Sequence, residues 1–198
     1  MPPKPKFTKD EIVAAALDIV SSGGVDALTA RELGRALGSS SRPIFTVFDG
    51  MEQLLCSVKD AAMQRYDSFF DMTSDDLPSF KRRGMQMLMF AVKEPNLYKL
   101  LFMQQNESAR SFHDIFVKLG VGAGESIQTL LAEYALTSGE ASRLFQDMWI
   151  YTYGVGTLCA TGACSFGADE LGRMLTEQFN ALLLYIRSNR GADQNGGQ

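Results

Sequence analysis

TARELGRALGSSSRPIFTVF, residues 29–48, reads as two short helices joined by a tight Gly-Ser turn. Thr29 and Glu32 stand three apart, so the threonine hydroxyl can accept the Glu32 amide while the carboxylate reaches back to the Thr29 N–H. Leu28 and Leu33 take the flanking apolar positions of such a start, and Leu33, Ala36 and Leu37 recur at helical spacing. Gly38 suits the left-handed residue that closes a helix. Ser39, Ser40 and Ser41 can each cap a following helix, and Pro43 is tolerated in its first turn, where no backbone N–H partner is needed. Ile44, Val47 and Phe48 then supply a buried side and leave Phe45 and Thr46 facing outward. Two capped helices around a tight Gly-Ser turn predict a helix-turn-helix with its second helix placed for a DNA major groove. Spacing alone equally permits a three-helix unit with no DNA to read.

Upstream, MPPKPK holds two lysines among three prolines and reads as an extended arm. Thr8 and Glu11 form a second T-x-x-E start, and Ile12, Ala15, Ala16, Ile19 and Val20 make one helical stripe that Gly23-Gly24 ends. Downstream, Asp49-Gly50 opens a long helix lined by Leu54, Leu55, Val58, Ala62, Tyr66 and Phe69. Further helices are predicted over 79–94, stopped by Pro95, then over 96–104, 108–119 and 125–136. A third T-x-x-E start at Thr137 begins a long helix to about Thr161, uncharged from Met148 on, and a last one covers 168–188. The Gly-rich GVGAG at 120–124 lacks the preceding strand of a dinucleotide loop and reads as a helix break. No stretch alternates with period two. The fold class is all-α with about nine helices: an N-terminal helix-turn-helix domain over 1–48, a larger helical body over 49–190, and a disordered tail over 191–198.

A 45% hydrophobic share in 198 residues supplies a proper core. The net charge of -4 gives no whole-protein attraction to nucleic acid, so DNA binding must rest on a local face. Residues 1–48 carry six Lys/Arg against five acids, leaving -5 for the remainder. Cys56, Cys159 and Cys164 form no C-x-x-C pair, which argues against a disulfide scaffold and a zinc site and fits a reducing cytoplasm. No secretory signal opens the chain. Residues 148–168 are uncharged over a membrane-spanning length, but four glycines and several hydroxyls dilute them, and a buried interface helix is the better reading. His113 is the only histidine, and no metal, nucleophile or phosphate motif accompanies it. No cofactor and no catalysis are expected.

With these pieces placed, the first 55 or so residues resemble the TetR/AcrR family of bacterial transcriptional regulators. The likeness rests on the opening helix, the TARELGRALG run, the serine-capped segment ending in Phe48 and the DGMEQLL start that follows. Three positions depart from the family's pattern: Phe45 stands where it usually has Tyr, Val47 where it has His, and Met51 where it has Lys. Those polar groups typically touch DNA phosphates in the family. The resemblance implies a ligand-responsive regulator, a repressor, binding a pseudo-palindromic operator as a homodimer without membrane attachment. A helical small-molecule-binding or redox-sensing protein with weakened DNA binding is the alternative that the three departures keep open.

The DNA-facing residues on this reading are Ser40, Ser41, Arg42, Pro43, Phe45 and Thr46, with Lys6 in the arm and Thr29 and Arg31 at the head of the preceding helix. The family resemblance further implies a pocket for a small-molecule effector, and the Met-rich, aromatic body suits an apolar or aromatic one. Met87, Phe90, Phe102, Met103, Phe116, Trp149 and Tyr153 are its candidate lining. The last two helices carry more apolar surface than one body needs, and Gly154, Leu158, Leu171, Leu175, Phe179 and Leu182 are the candidate dimer contacts.

Overall fold

The computed structural model describes residues 6–71, 73, 77–104, 111, 114–115 and 123–190. Among them are eight α-helices and no strand: α1 (Lys9–Gly23), α2 (Ala30–Ala36), α3 (Met51–Asp71), α4 (Ser79–Lys93), α5 (Pro95–Phe102), α6 (Ala123–Tyr134), α7 (Ser138–Ala160) and α8 (Ala168–Ser188). Lys4, His113, Phe116, most of the helix expected over 108–119, residues 120–122 and the tail over 191–198 lie outside the described residues. No helix among the described residues is long and apolar enough to cross a membrane.

The helix ends follow the local chemistry of the sequence. Thr8 Oγ1 accepts the Glu11 N–H at 3.2 Å, and Glu11 accepts from the Thr8 N–H at 2.8 Å and from its hydroxyl at 3.0 Å. Those bonds, the backbone one foremost, hold the Glu11 carboxyl below its ordinary pKa. Gly24, at φ +79°, lets the chain turn away while its N–H still caps the Val20 carbonyl at 2.8 Å. Pro95 occupies the first turn of α5, where a missing N–H leaves no carbonyl wanting.

The chain divides into two compact units, one made of Met1–Ser68 with Lys93–Gln104, the other of Phe69–Val92 with Gln105–Gln198. The first unit thus extends past residue 48, because α1 packs against α5 as well as against α2. Ile12, Ala16, Val20, Leu33, Ile44, Phe48, Leu54, Val58, Leu97 and Tyr98 are among its buried side chains. A polar tie reinforces the join: Glu94 accepts from the Ser21 hydroxyl at 2.7 Å and pairs with Arg65, and Asn96 Nδ2 donates to the Ser21 carbonyl at 2.9 Å. Glu94 is only 8% exposed, so these partners offset its removal from water.

In the second unit, α6 packs on α7 and α7 on α8. Phe179 on α8 stacks on Phe80 of α4 at 4.0 Å and meets Tyr134 of α6 edge-on at 4.9 Å, with Leu130, Leu144, Met148, Leu171 and Leu175 around them. Arg82 and Arg83 lie over the Phe70 ring at 4.1 and 4.6 Å; Arg82 donates to Thr73 Oγ1 at 3.2 Å and Arg83 pairs with Glu125 at 3.1 Å. Both guanidiniums therefore serve the protein's own structure.

Candidate nucleic-acid interface

The helix-turn-helix begins as the sequence predicts and then departs from it. Thr29 Oγ1 accepts the Glu32 N–H at 3.1 Å. The reciprocal half of the box does not form, because the Glu32 carboxylate pairs with Arg35 one turn on, and that pairing lowers the Glu32 pKa. Leu37 ends α2 and Gly38 sits at φ +62°, a left-handed conformation costly for other residues. The Ser39 N–H then bonds to the Gly34 carbonyl at 2.9 Å. A Cβ on Gly34 would stand 3.0 Å from backbone atoms of Ser40 and Ser41, so the missing side chain is what lets the turn lie on α2.

The expected second helix is a short 3₁₀ turn over Ile44–Thr46 rather than an α-helix. Its bonds run from Ile44 N–H to Ser41 O, Thr46 N–H to Pro43 O and Val47 N–H to Ile44 O, and a four-residue step appears only at Phe48. Pro43 contributes no N–H, Thr46 turns its hydroxyl back to the Pro43 carbonyl at 2.7 Å, and three β-branched residues in four resist the α form. Ile44 and Phe48 are nonetheless buried at 1% and 2%, and Phe45 is 48% exposed. Ser40, Arg42 and Thr46 are exposed; Ser41, Pro43 and Val47 are half-buried.

One surface depression gathers Arg31, Glu32, Arg35, Ser39, Ser40 and Ser41. Lys6 joins it by donating to Ser39 Oγ at 3.0 Å across 33 residues of sequence, and Lys9 holds its ammonium 5.9 Å from the Phe48 ring. Hydroxyls, Arg31, the Glu32-paired Arg35 and a lysine around this depression form a donor array suited to anionic oxygens, and the outward Phe45 ring adds an apolar contact. Of the predicted residues, the fold brings Lys6, Arg31, Ser40 and Ser41 to this depression. Arg42, Phe45 and Thr46 extend the same turn. Ser39, Arg35 and Gly34 are not among the DNA-facing residues the sequence predicts; for Gly34, a glycine inside a helix that otherwise has good formers is the readable signal.

The other expected groups separate. Met87 and Phe90 are buried on α4, and Trp149 stacks on Tyr153 at 5.1 Å on α7, all in the second unit. Phe102 and Met103 belong to the first unit, where Phe102 packs on Tyr66 at 5.2 Å and Tyr98 at 5.1 Å. Phe102 is therefore first-unit core. Among the dimer candidates, Gly154 is exposed and Leu158 is 42% exposed, whereas Leu171, Leu175 and Phe179 are at most 5% exposed within a single chain and belong to its core. Leu182 is half-buried against that core. Ile150 on α7 and Leu184 and Tyr185 on α8 are the large apolar side chains the outer faces carry instead. No group of His, Cys, Asp or Glu among the described residues is placed to hold a metal.

No family model matches the sequence, and no curated protein matches it either. Solved structures do resemble it. A transcriptional regulator from Rhodococcus sp. Rha1 superposes with a TM-score of 0.68 at 14% identity, over 90% of this chain and 97% of that one. A TetR variant from Acinetobacter baumannii AYE, crystallised with minocycline, superposes with a TM-score of 0.57 at 16% identity, over 93% of this chain and 99% of that one. The chain thus has the all-helical fold of TetR-type transcriptional regulators.

Proposed function

We propose that the chain is a ligand-responsive transcriptional regulator that binds a pseudo-palindromic operator as a homodimer and represses there. The observation that carries the reading is the turn over residues 39–48: held on α2 through Gly34, it buries Ile44 and Phe48 and turns Arg42, Phe45 and Thr46 outward beside Arg31 and the Lys6–Ser39 contact. Phosphates would be gripped by Lys6, Arg31, Ser40 and Ser41, with the α2 N-terminus at Thr29 adding its dipole. Arg42 would read a guanine edge, and Phe45 and Pro43 thymine methyls.

Dimerisation would use Ile150, Gly154 and Leu158 on α7 with Leu184 and Tyr185 on α8. Two-fold symmetry then sets two reading turns about 34–36 Å apart, the spacing of successive major grooves. The TetR neighbour's complex with minocycline supports a small-molecule effector for this chain too, apolar or aromatic in keeping with the Trp149–Tyr153 stack. Such an effector shifts the equilibrium between DNA-binding and released forms only by its difference in affinity for the two. A cytoplasmic location accords with this role.

A gel-shift titration against DNA from upstream of the protein's own coding region tests the reading. A discrete complex that survives excess unrelated DNA is expected. Complexes with any DNA that vanish as salt rises would refute it.

A further inference from the structure

The end of α7 folds back on itself. Gly162, at φ +74°, sends the chain round so that its N–H reaches the Cys159 carbonyl at 3.0 Å, and the Ala163 and Cys164 N–H groups both reach the Leu158 carbonyl, at 3.0 and 3.3 Å. This closed helix end brings the sixth residue back over the first turn it left. The Leu158 carbonyl is bonded directly to the Cys159 nitrogen, so the bond from Cys164 holds the two cysteine Cα atoms within about 7–8 Å at most. A disulfide spans about 4.4–6.8 Å between Cα atoms, and Cys164 lies in the non-helical segment 164–167, which can supply the remaining shift. Both thiols are free; Cys164 is exposed, and Cys159 is half-buried against the second unit's core.

We propose that Cys159 and Cys164 form a reversible dithiol site, oxidised to an intrachain disulfide by exchange with a low-molecular-weight disulfide. The exposed Cys164 thiolate attacks one sulfur of the incoming disulfide and expels one thiolate, giving a mixed disulfide on Cys164. Cys159 then loses its proton, attacks the Cys164 sulfur and expels the second thiolate. The net change is two protein thiols and one small disulfide going to one protein disulfide and two small thiols, so electrons and protons balance without another oxidant. Burial, and next the nearby Cys164 charge, raise the Cys159 pKa, which leaves the first attack to the exposed Cys164. The bridge locks the last turn of α7 around the Leu158 carbonyl.

The test treats the fully reduced chain with oxidised glutathione, counts thiols and weighs the unreduced tryptic peptide that ends at Arg173. Two of the three thiols should disappear, with a peptide two hydrogens lighter, no glutathione attached and no cross-linked dimer. Cys56→Ser should leave that product unchanged, and Cys159→Ser should stop at a glutathione adduct on Cys164. Because Cys159 is half-buried, Cys164→Ser is the second variant: it should leave Cys159 reduced. A persistent adduct on the unmutated chain, a disulfide between chains, or three thiols surviving would each overturn the proposal.

Discussion

Gly34 governs the turn over residues 39–48 by having no side chain. A larger residue there meets Ser40 and Ser41 backbone at 3.0 Å, and backbone in a closed turn yields less readily than a side-chain tip. Gly34→Val should destabilise the protein by about 1–3 kcal/mol through overpacking, seen as a lower urea midpoint with unchanged slope. Arg42 is the opposite case, exposed and free of structural duty. Arg42→Ala should leave that midpoint within about 0.5 kcal/mol and weaken specific DNA binding by about 1–3 kcal/mol, read by fluorescence anisotropy. The sequence showed which of these residues face outward, since Ile44 and Phe48 define the buried side. It did not show Lys6 on Ser39, because a flexible lysine has many hydroxyls within reach and only the fold selects one.

At the scale of elements, the three T-x-x-E starts were legible, and two of them close reciprocally. The middle one does not, since Arg35 captures the Glu32 carboxylate, a competition visible only as an i,i+3 pair. The short turn over 44–46 reads as a helix in the sequence because buried spacing is alike in both forms; hydroxyl and proline chemistry decided the outcome. The Thr137 start gains a partner from far along the chain: Glu140 accepts from the Thr137 N–H at 2.7 Å and from Arg190 at 2.7 and 2.9 Å, while Arg190 also donates to the Ala135 carbonyl at 2.9 Å. Arg190 foremost, then the Thr137 N–H, draw the Glu140 pKa from 4.5 to about 2. A depressed carboxyl stabilises the fold above its unfolded value and loses that contribution as pH falls through the folded one. The melting temperature should therefore drop between about pH 4.5 and pH 2, and Glu140→Gln should flatten that portion of the profile. Thr137→Ala should lower stability by about 1 kcal/mol at neutral pH.

For the whole molecule, the fold class and the order of the eight described helices were readable because each carries its own period and stop signals. Which apolar side chains lie in the protein's own core and which stay exposed was not. The α8 stripe of Leu171, Leu175 and Phe179 belongs to the core, whereas Leu184 and Tyr185 on the same helix are the exposed apolar side chains. The Glu94 tie to Ser21 and Arg65 was likewise hidden, because nothing in sequence pairs one acid with residues 73 and 29 positions away. Ile150 and Leu158 are 43% and 42% exposed in a single chain, so Ile150→Glu with Leu158→Glu should keep the helical content while shifting sedimentation from dimer to monomer. DNA binding should fall with it, since one reading turn alone gives up the second half-site.

The central claim is that the turn over 39–48, presented twice by a dimer, reads DNA sequence. Selection of bound fragments from a random double-stranded library, sequenced over successive rounds, tests it most directly. Enrichment of an inverted repeat whose half-sites lie about one helical turn apart is expected, lost with Arg42→Ala. A library that stays unenriched while the folded dimer is intact would contradict it.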